Sequence, residues 1–74
     1  MLQAVKAKSW YRHFKGTTYY VHGVAKHTET EQLLVFYEQA GAGSKLWCRP
    51  IDDFCSLVEV EGHMVPRFTF VRES

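Results

Sequence analysis

Between Tyr11 and Tyr37 the chain reads YRHFKGTTYYVHGVAKHTETEQLLVFY. Two runs rich in β-branched and aromatic residues are held apart there by short polar turns. Such runs suit a pleated, half-buried surface and are too brief and too often interrupted for long helices. Tyr19 to His27 reads as a strand. Gly23 inside it marks a bulge, a bend or a close backbone approach, the device by which a small sheet coils. The next segment admits two readings. Thr28 and Glu31 fit a helix capping box, and Leu33, Phe36, Tyr37 and Ala40 share a helical face, which would give a helix at about 29–40. The run Leu34-Val35-Phe36-Tyr37 instead favours a strand over 32–39, with Thr28–Glu31 as a hairpin loop, and this is the preferred reading.

Gly41-Ala42-Gly43-Ser44 is a turn. Leu46 to Ile51 forms a short strand, because Pro50 donates no ladder bond and keeps Arg49 extended. Ile51 to Cys55 suits one helical or 3₁₀ turn, with Asp52 as its cap and Phe54 dipping into the core. Leu57 to Glu61 alternates apolar and acidic, with Val58 and Val60 inward. Glu61-Gly62 is a tight hairpin turn, and His63 to Val71 returns, confined to an edge or split in two by Pro66. Residues 1–9 show no convincing period. Trp10, Tyr11 and Phe14 follow in a loop studded with Arg12, His13 and Lys15, their rings pressed inward and their charged tips in water. The architecture expected is one mainly β domain over 10–74, a small SH3-like barrel of about five antiparallel strands with one short helical turn. The alternative is an α+β domain with the helix at 29–40.

Size limits function. Ordering a residue costs roughly 1.5 kcal/mol, so a chain of 74 residues needs most of its apolar side chains for the fold. The formal net charge is +1, which provides no global field for nucleic acid or membrane. Locally, Lys6, Lys8, Arg12, Lys15 and Lys26 precede the first acid, Glu29. No run approaches the ~20 apolar residues of a membrane span. MLQAVKAK lacks the apolar centre of a secretory leader, so the expectation is cytoplasmic, with Cys48 and Cys55 reduced and buried among apolar neighbours.

The residues YRHFKG, then Tyr19-x-Val21-x-Gly23-x-Ala25-Lys26-His27-Thr28-Glu29-Thr30, Leu46-Trp47 with Arg49-Pro50, Phe54, and Val65-Pro66-Arg67-Phe68 resemble a small bacterial domain family of unknown function. The likeness runs from Tyr11 to Phe70 and implies a compact, mainly β unit, alone or fused to other domains. It implies no activity. In that family an apolar residue is usual at the positions of Cys48 and Cys55, in keeping with both thiols as core fillers, and the last hairpin usually turns on Asp-Gly.

No motif carries catalysis. Cys48 beside Arg49 lacks a base, and Asp52 and Asp53 are adjacent, so they point apart. His13, His22, His27 and His63 form none of the local pairs from which zinc sites are assembled. No catalytic residue, cofactor or metal is therefore expected, and the preferred function is non-enzymatic. Tyr11, His13, Lys15, Tyr19, His27, Trp47, Arg49 and Arg67 mix rings with cations and are the ligand-binding candidates. Such a set suits a protein or peptide, with single-stranded nucleic acid next, since rings stack on bases and cations neutralise phosphates. A small-ligand or metal-dependent accessory enzyme using His13 or His27 is the remaining alternative. The bland account places Tyr19 and Trp47 in the core and pairs Arg49 and Arg67 with Asp52, Asp53 or Glu59.

Overall fold

A computed structural model describes residues 5–41 and 45–74. The chain order is β1 Ser9–His13, β2 Thr18–Lys26, β3 Leu33–Gln39, β4 Leu46–Pro50, α1 Ile51–Phe54, β5 Leu57–Val60, β6 His63–Pro66 and β7 Phe68–Glu73. Five strands form one antiparallel sheet in the order β4-β3-β2-β1-β7, and β5 and β6 form a separate hairpin. Residues 1–4 and most of the turn expected at Gly41–Ser44 lie outside the described residues.

The strand reading of 32–39 holds, and the helix at 29–40 does not form. Val35 and Tyr37 are buried with an exposed or half-buried residue between and beside them. That is the period of a strand packed on one face. Thr28–Glu31 is the hairpin loop. His27 N–H donates to the Gln32 carbonyl at 2.7 Å, Glu31 N–H donates to the His27 carbonyl at 2.9 Å, and Glu31 takes φ 62°. Gly23 does mark a bulge: the β2–β3 register shifts between Val21 and Gly23.

The SH3-like barrel is not formed. The sheet is open, with β4 and β7 at opposite edges. After Pro50 the chain leaves the sheet, makes the four-residue α1 and lays its Phe54 ring on the sheet face, where a closing strand would otherwise run. The core is Tyr11, Val21, Val35, Tyr37, Phe54 and Phe68, with Val5, Tyr19, Ile51 and Cys55 packed around it. Phe54 stacks on Phe68 at 4.0 Å between centroids and meets Tyr11 and Tyr37 edge-on at 5.4 and 5.6 Å.

Several local expectations change. The segment from Trp10 to His13 is a strand, not a loop, and it lies inside the sheet between β2 and β7. Ser9, assigned to the undetermined leading segment, is fully buried, and its Oγ donates to the Ala7 carbonyl. Asp52 does not cap α1: Pro50 occupies the N-cap with no side-chain hydrogen bond, and Asp52 and Asp53 stand in the first turn. There their charge favours the positive end of the helical peptide dipoles. Cys48 is exposed on β4, not a core filler, because parity along the strand turns it away from the buried face; Cys55 is half-buried, and both thiols are free. Burial first, then the nearby Asp52 carboxylate, pushes the Cys55 thiol pKa up. Pro66 does split the last strand, into β6 and β7.

Glu61 and Gly62 take φ 50° and 82°, the paired positive values of a type I′ hairpin turn. A side chain other than Gly, Asn or Asp is strained there by about 1–2 kcal/mol. Glu61→Asn should therefore raise stability by roughly 0.5–1 kcal/mol and the melting temperature by a few degrees, read by calorimetry. Phe54 is 2% exposed, and Phe54→Ala should cost about 3–5 kcal/mol in denaturant unfolding, while Leu57→Ala, at 55% exposure, should change little.

Candidate functional site

β1 and β2 run antiparallel with Tyr11 opposite Tyr19, and β7 places Phe68 opposite His13. β3 and β4 place Trp47 opposite Tyr37 and Arg49 opposite Val35. Because side chains alternate along strands, His13, Tyr19, Tyr37, Trp47, Arg49 and Phe68 all share the face that carries the core. The sheet thus places on that one face residues drawn from β1, β2, β4 and β7.

His13 stands at the end of β1, half-buried among Phe14, Tyr19 and Phe68, with ring centroids 4.4, 6.2 and 5.0 Å away. The Lys15 N–H donates to His13 Nδ1 at 3.2 Å. In the neutral ring the proton therefore sits on Nε2. Burial lowers the His13 pKa from its ordinary 6.5, and the charges of Arg49, Arg67 and Lys15 lower it further. Three cations from separate parts of the chain thus bear on one imidazole.

Arg49 Nε donates to the Tyr37 hydroxyl at 3.2 Å and its Nη1 to Asp53 Oδ2 at 2.7 Å. The guanidinium lies 6.0 Å from the Phe68 ring centroid. Its hydrogen bond to Tyr37, working against burial and helped by Asp53, keeps its pKa above the usual arginine value. Arg67 Nε donates to the Ser56 Oγ at 3.0 Å. Its backbone is fixed from both sides, by its N–H to the Ser56 carbonyl and its carbonyl to the Phe14 N–H, each 2.9 Å. Among the described residues Arg49 pairs with Asp53, whereas Lys15 and Arg67 form no salt bridge. Of the pairings open to Arg49 and Arg67 with Asp52, Asp53 or Glu59, the one that forms among the described residues is Arg49 with Asp53, and Arg67 is held by Ser56 instead.

The candidates therefore divide. His13, Lys15, Tyr19, Arg49 and Arg67 come together around the His13 ring, and Trp47 shares that sheet face opposite Tyr37. Trp47 remains 50% exposed, so it is a rim ring and not core. Tyr11 is core, 7% exposed, its hydroxyl accepting a hydrogen bond from the Lys6 N–H at 3.0 Å. His27 lies beyond the opposite end of β2, eight residues from Tyr19, roughly 26 Å along an extended strand. Its Nδ1 accepts from the Glu29 and Thr30 N–H groups at 3.1 and 3.3 Å, so it braces the β2–β3 loop. Ser56, which holds Arg67, and Phe68, which floors the cluster, carry no sequence signal of such roles.

The other sheet face holds a groove of about 340 Å³ lined by Trp10, Tyr20, His22 and Glu38 among others, which no motif announced. Among the described residues no three His, Cys, Asp or Glu side chains converge as metal ligands, and no helix is long and apolar enough to cross a membrane.

The class defined by this fold is an open five-stranded antiparallel sheet, backed by one helical turn and a second hairpin. A family described as a protein of unknown function, DUF1653, matches residues 9–70, and the chain belongs to it. The chain is similar to a crystal structure of a protein of that family from Bordetella bronchiseptica, at 29% identity, TM-score 0.83, with 100% of this chain and 96% of that one covered. No curated protein matches the chain.

The lowered His13 pKa has a definite sign. The folded state takes up this proton less readily than the unfolded state, so the contribution of His13 is fully present above pH 6.5 and is lost as pH falls below it. The His13 ring resonances should titrate with a midpoint under 6.5. Denaturation midpoints collected from pH 7.5 down to about 5 should fall more steeply for the wild type than for His13→Gln.

Proposed function

We propose that this chain is a non-enzymatic binding module whose ligand is a protein segment bearing carboxylates beside an apolar or aromatic side chain. The observation that carries the reading is the excess of positive charge around His13. Arg49, Arg67 and Lys15 bear on it, and among the described residues Asp53 is the one carboxylate paired with any of them. A carboxylate approaching within 4 Å of one such cation gains about 1–4 kcal/mol, depending on how far water is excluded. The His13 Nε2–H adds a neutral donor, and the Trp47 and Tyr19 rings offer apolar surface beside it. Arg49 and Arg67 are already oriented by Tyr37, Asp53 and Ser56, which reduces the entropy lost on binding.

Single-stranded nucleic acid would use the same cations and rings. The near-neutral net charge of +1 weighs against it, since strand binding rests chiefly on counterion release along a basic groove.

The test is a backbone amide NMR titration with an acidic peptide containing one tryptophan, run in parallel with an oligothymidylate of similar length. Saturable shifts at His13, Lys15, Tyr19, Trp47, Arg49 and Arg67 with the peptide are expected. Arg67→Gln and Trp47→Ala should each weaken the affinity about tenfold, or 1.4 kcal/mol. Peptide shifts confined to Trp10, Tyr20 and His22 would overturn the assignment. Tighter, steeply salt-dependent binding of the oligothymidylate at the same residues would replace a protein ligand with a nucleic acid.

A further inference from the structure

We infer that β4 is a dimerisation edge, and that its occupant is β4 of a second copy of this chain, paired antiparallel about Cys48. The inference does not depend on the ligand proposed above.

The backbone of the edge follows from one residue. Pro50 lies opposite Leu34 in the antiparallel β3–β4 ladder. A proline has no N–H, so Leu34 and Pro50 cannot be a pair that exchanges both ladder bonds. The bonded pair must be the adjacent one, Arg49 with Val35, and the alternation then continues along β4. Trp47 and Arg49 turn their amides toward β3, while Leu46 and Cys48 turn their N–H and C=O groups outward. β4 is the last strand of the sheet, and among the described residues no strand pairs with this side. An outward row of unpaired amides beside Leu46 and Trp47, 62% and 50% exposed, is a template for another strand. Cys48 is exposed in the same row. No bulge interrupts β4, its one charged side chain, Arg49, is paired with Asp53, and the edge ends only at Pro50.

The side chains select the partner. Three antiparallel registers of two copies bring together at least two outward positions of Leu46–Pro50 on each. Centred on Trp47, the pairing sets Arg49 against Lys45; centred on Arg49, it sets the two Arg49 side chains against each other. Like charges directly opposite are unfavourable in both. Centred on Cys48, each Arg49 faces Trp47 of the second copy on the same sheet face, a cation beside an aromatic ring. Leu46 then faces Pro50, and Cys48 faces its own counterpart. In this register Cys48 exchanges both backbone hydrogen bonds with its counterpart, and each Leu46 N–H meets a Pro50 carbonyl. The missing proline N–H falls at the two ends of the match. The result is a two-fold, self-complementary interface and a continuous sheet through both copies.

A second copy in this position brings its Trp47 beside the first copy's Arg49, and the two cationic margins become neighbours across the two-fold axis. The Cys48 Cα atoms would stand about 5.5 Å apart, as bonded antiparallel pairs do.

Sedimentation equilibrium under reducing conditions tests the pairing. The mass should rise with concentration from 8.6 kDa toward twice that value, and a short bismaleimide should join the native chains through Cys48 to Cys48, identified by peptide mass spectrometry. Cys48→Pro removes an outward N–H that the β3 ladder does not use, and Cys48→Lys places two cations opposite each other while keeping that N–H. Each should raise the dissociation constant at least tenfold with an unchanged folded NMR fingerprint, and if the proline variant fails to fold, the lysine variant alone decides. A monomeric mass up to about 1 mM, crosslinks through Cys55 only, or a lysine variant that dimerises as well as the wild type would overturn the inference.

Discussion

The stacking of Phe54 on Phe68 holds this small protein together. Phe68 belongs to an edge strand and Phe54 to a single helical turn connected to the other edge. Their contact bridges the sheet across its width, and Tyr11 and Tyr37 close on it from the strands between. A chain of this length buries only about 60% of its unfolded surface. Few side chains are available to make a core, and aromatic rings remove the most apolar area per ordered residue. The aromatic richness of the sequence is thus largely accounted for by the fold. The rings left at its margin are Tyr19, half-buried, and Trp47, half-exposed.

The same contact positions the cationic margin. Phe68 lies under the Arg49 guanidinium and beside the His13 ring, and Arg67 directly precedes it in the chain. The turn that delivers Phe54 also delivers Asp53 to Arg49 and, a little further on, Ser56 to Arg67. Core and candidate site are therefore one construction. A substitution that loosens the ring stack would disturb the arginines without touching them.

Much of this was legible in the residues, for reasons that differ from place to place. The strand through Leu34–Tyr37 was legible because β-branched and aromatic residues run together there between polar flanks. The bulge at Gly23, the single turn around Phe54 and the split at Pro66 were legible because glycine, proline and a lone aromatic after an acidic pair have strong local preferences. Barrel closure was not, because it depends on where the chain goes after Pro50, a tertiary matter that no local preference encodes. Trp10 and Tyr11 were likewise indistinguishable as neighbours, yet strand parity sends one to each face of the sheet. Cys48 looked like core because its neighbours are apolar, but an edge strand and an inner strand share that composition. Of the candidate site, the cations and rings could be named but not their company. His27 belongs with Arg49 by chemistry, but its ring is engaged by the Glu29 and Thr30 amides in the β2–β3 loop.

The hydrogen bond from the Lys15 amide to His13 has a consequence for the chemistry of the margin. It occupies one ring nitrogen as an acceptor, while burial and the surrounding cations oppose a second proton. The neutral ring, carrying its one proton on Nε2, is thereby favoured over the cation. This histidine offers a hydrogen bond without a charge, where the residue type more often serves as a sensor.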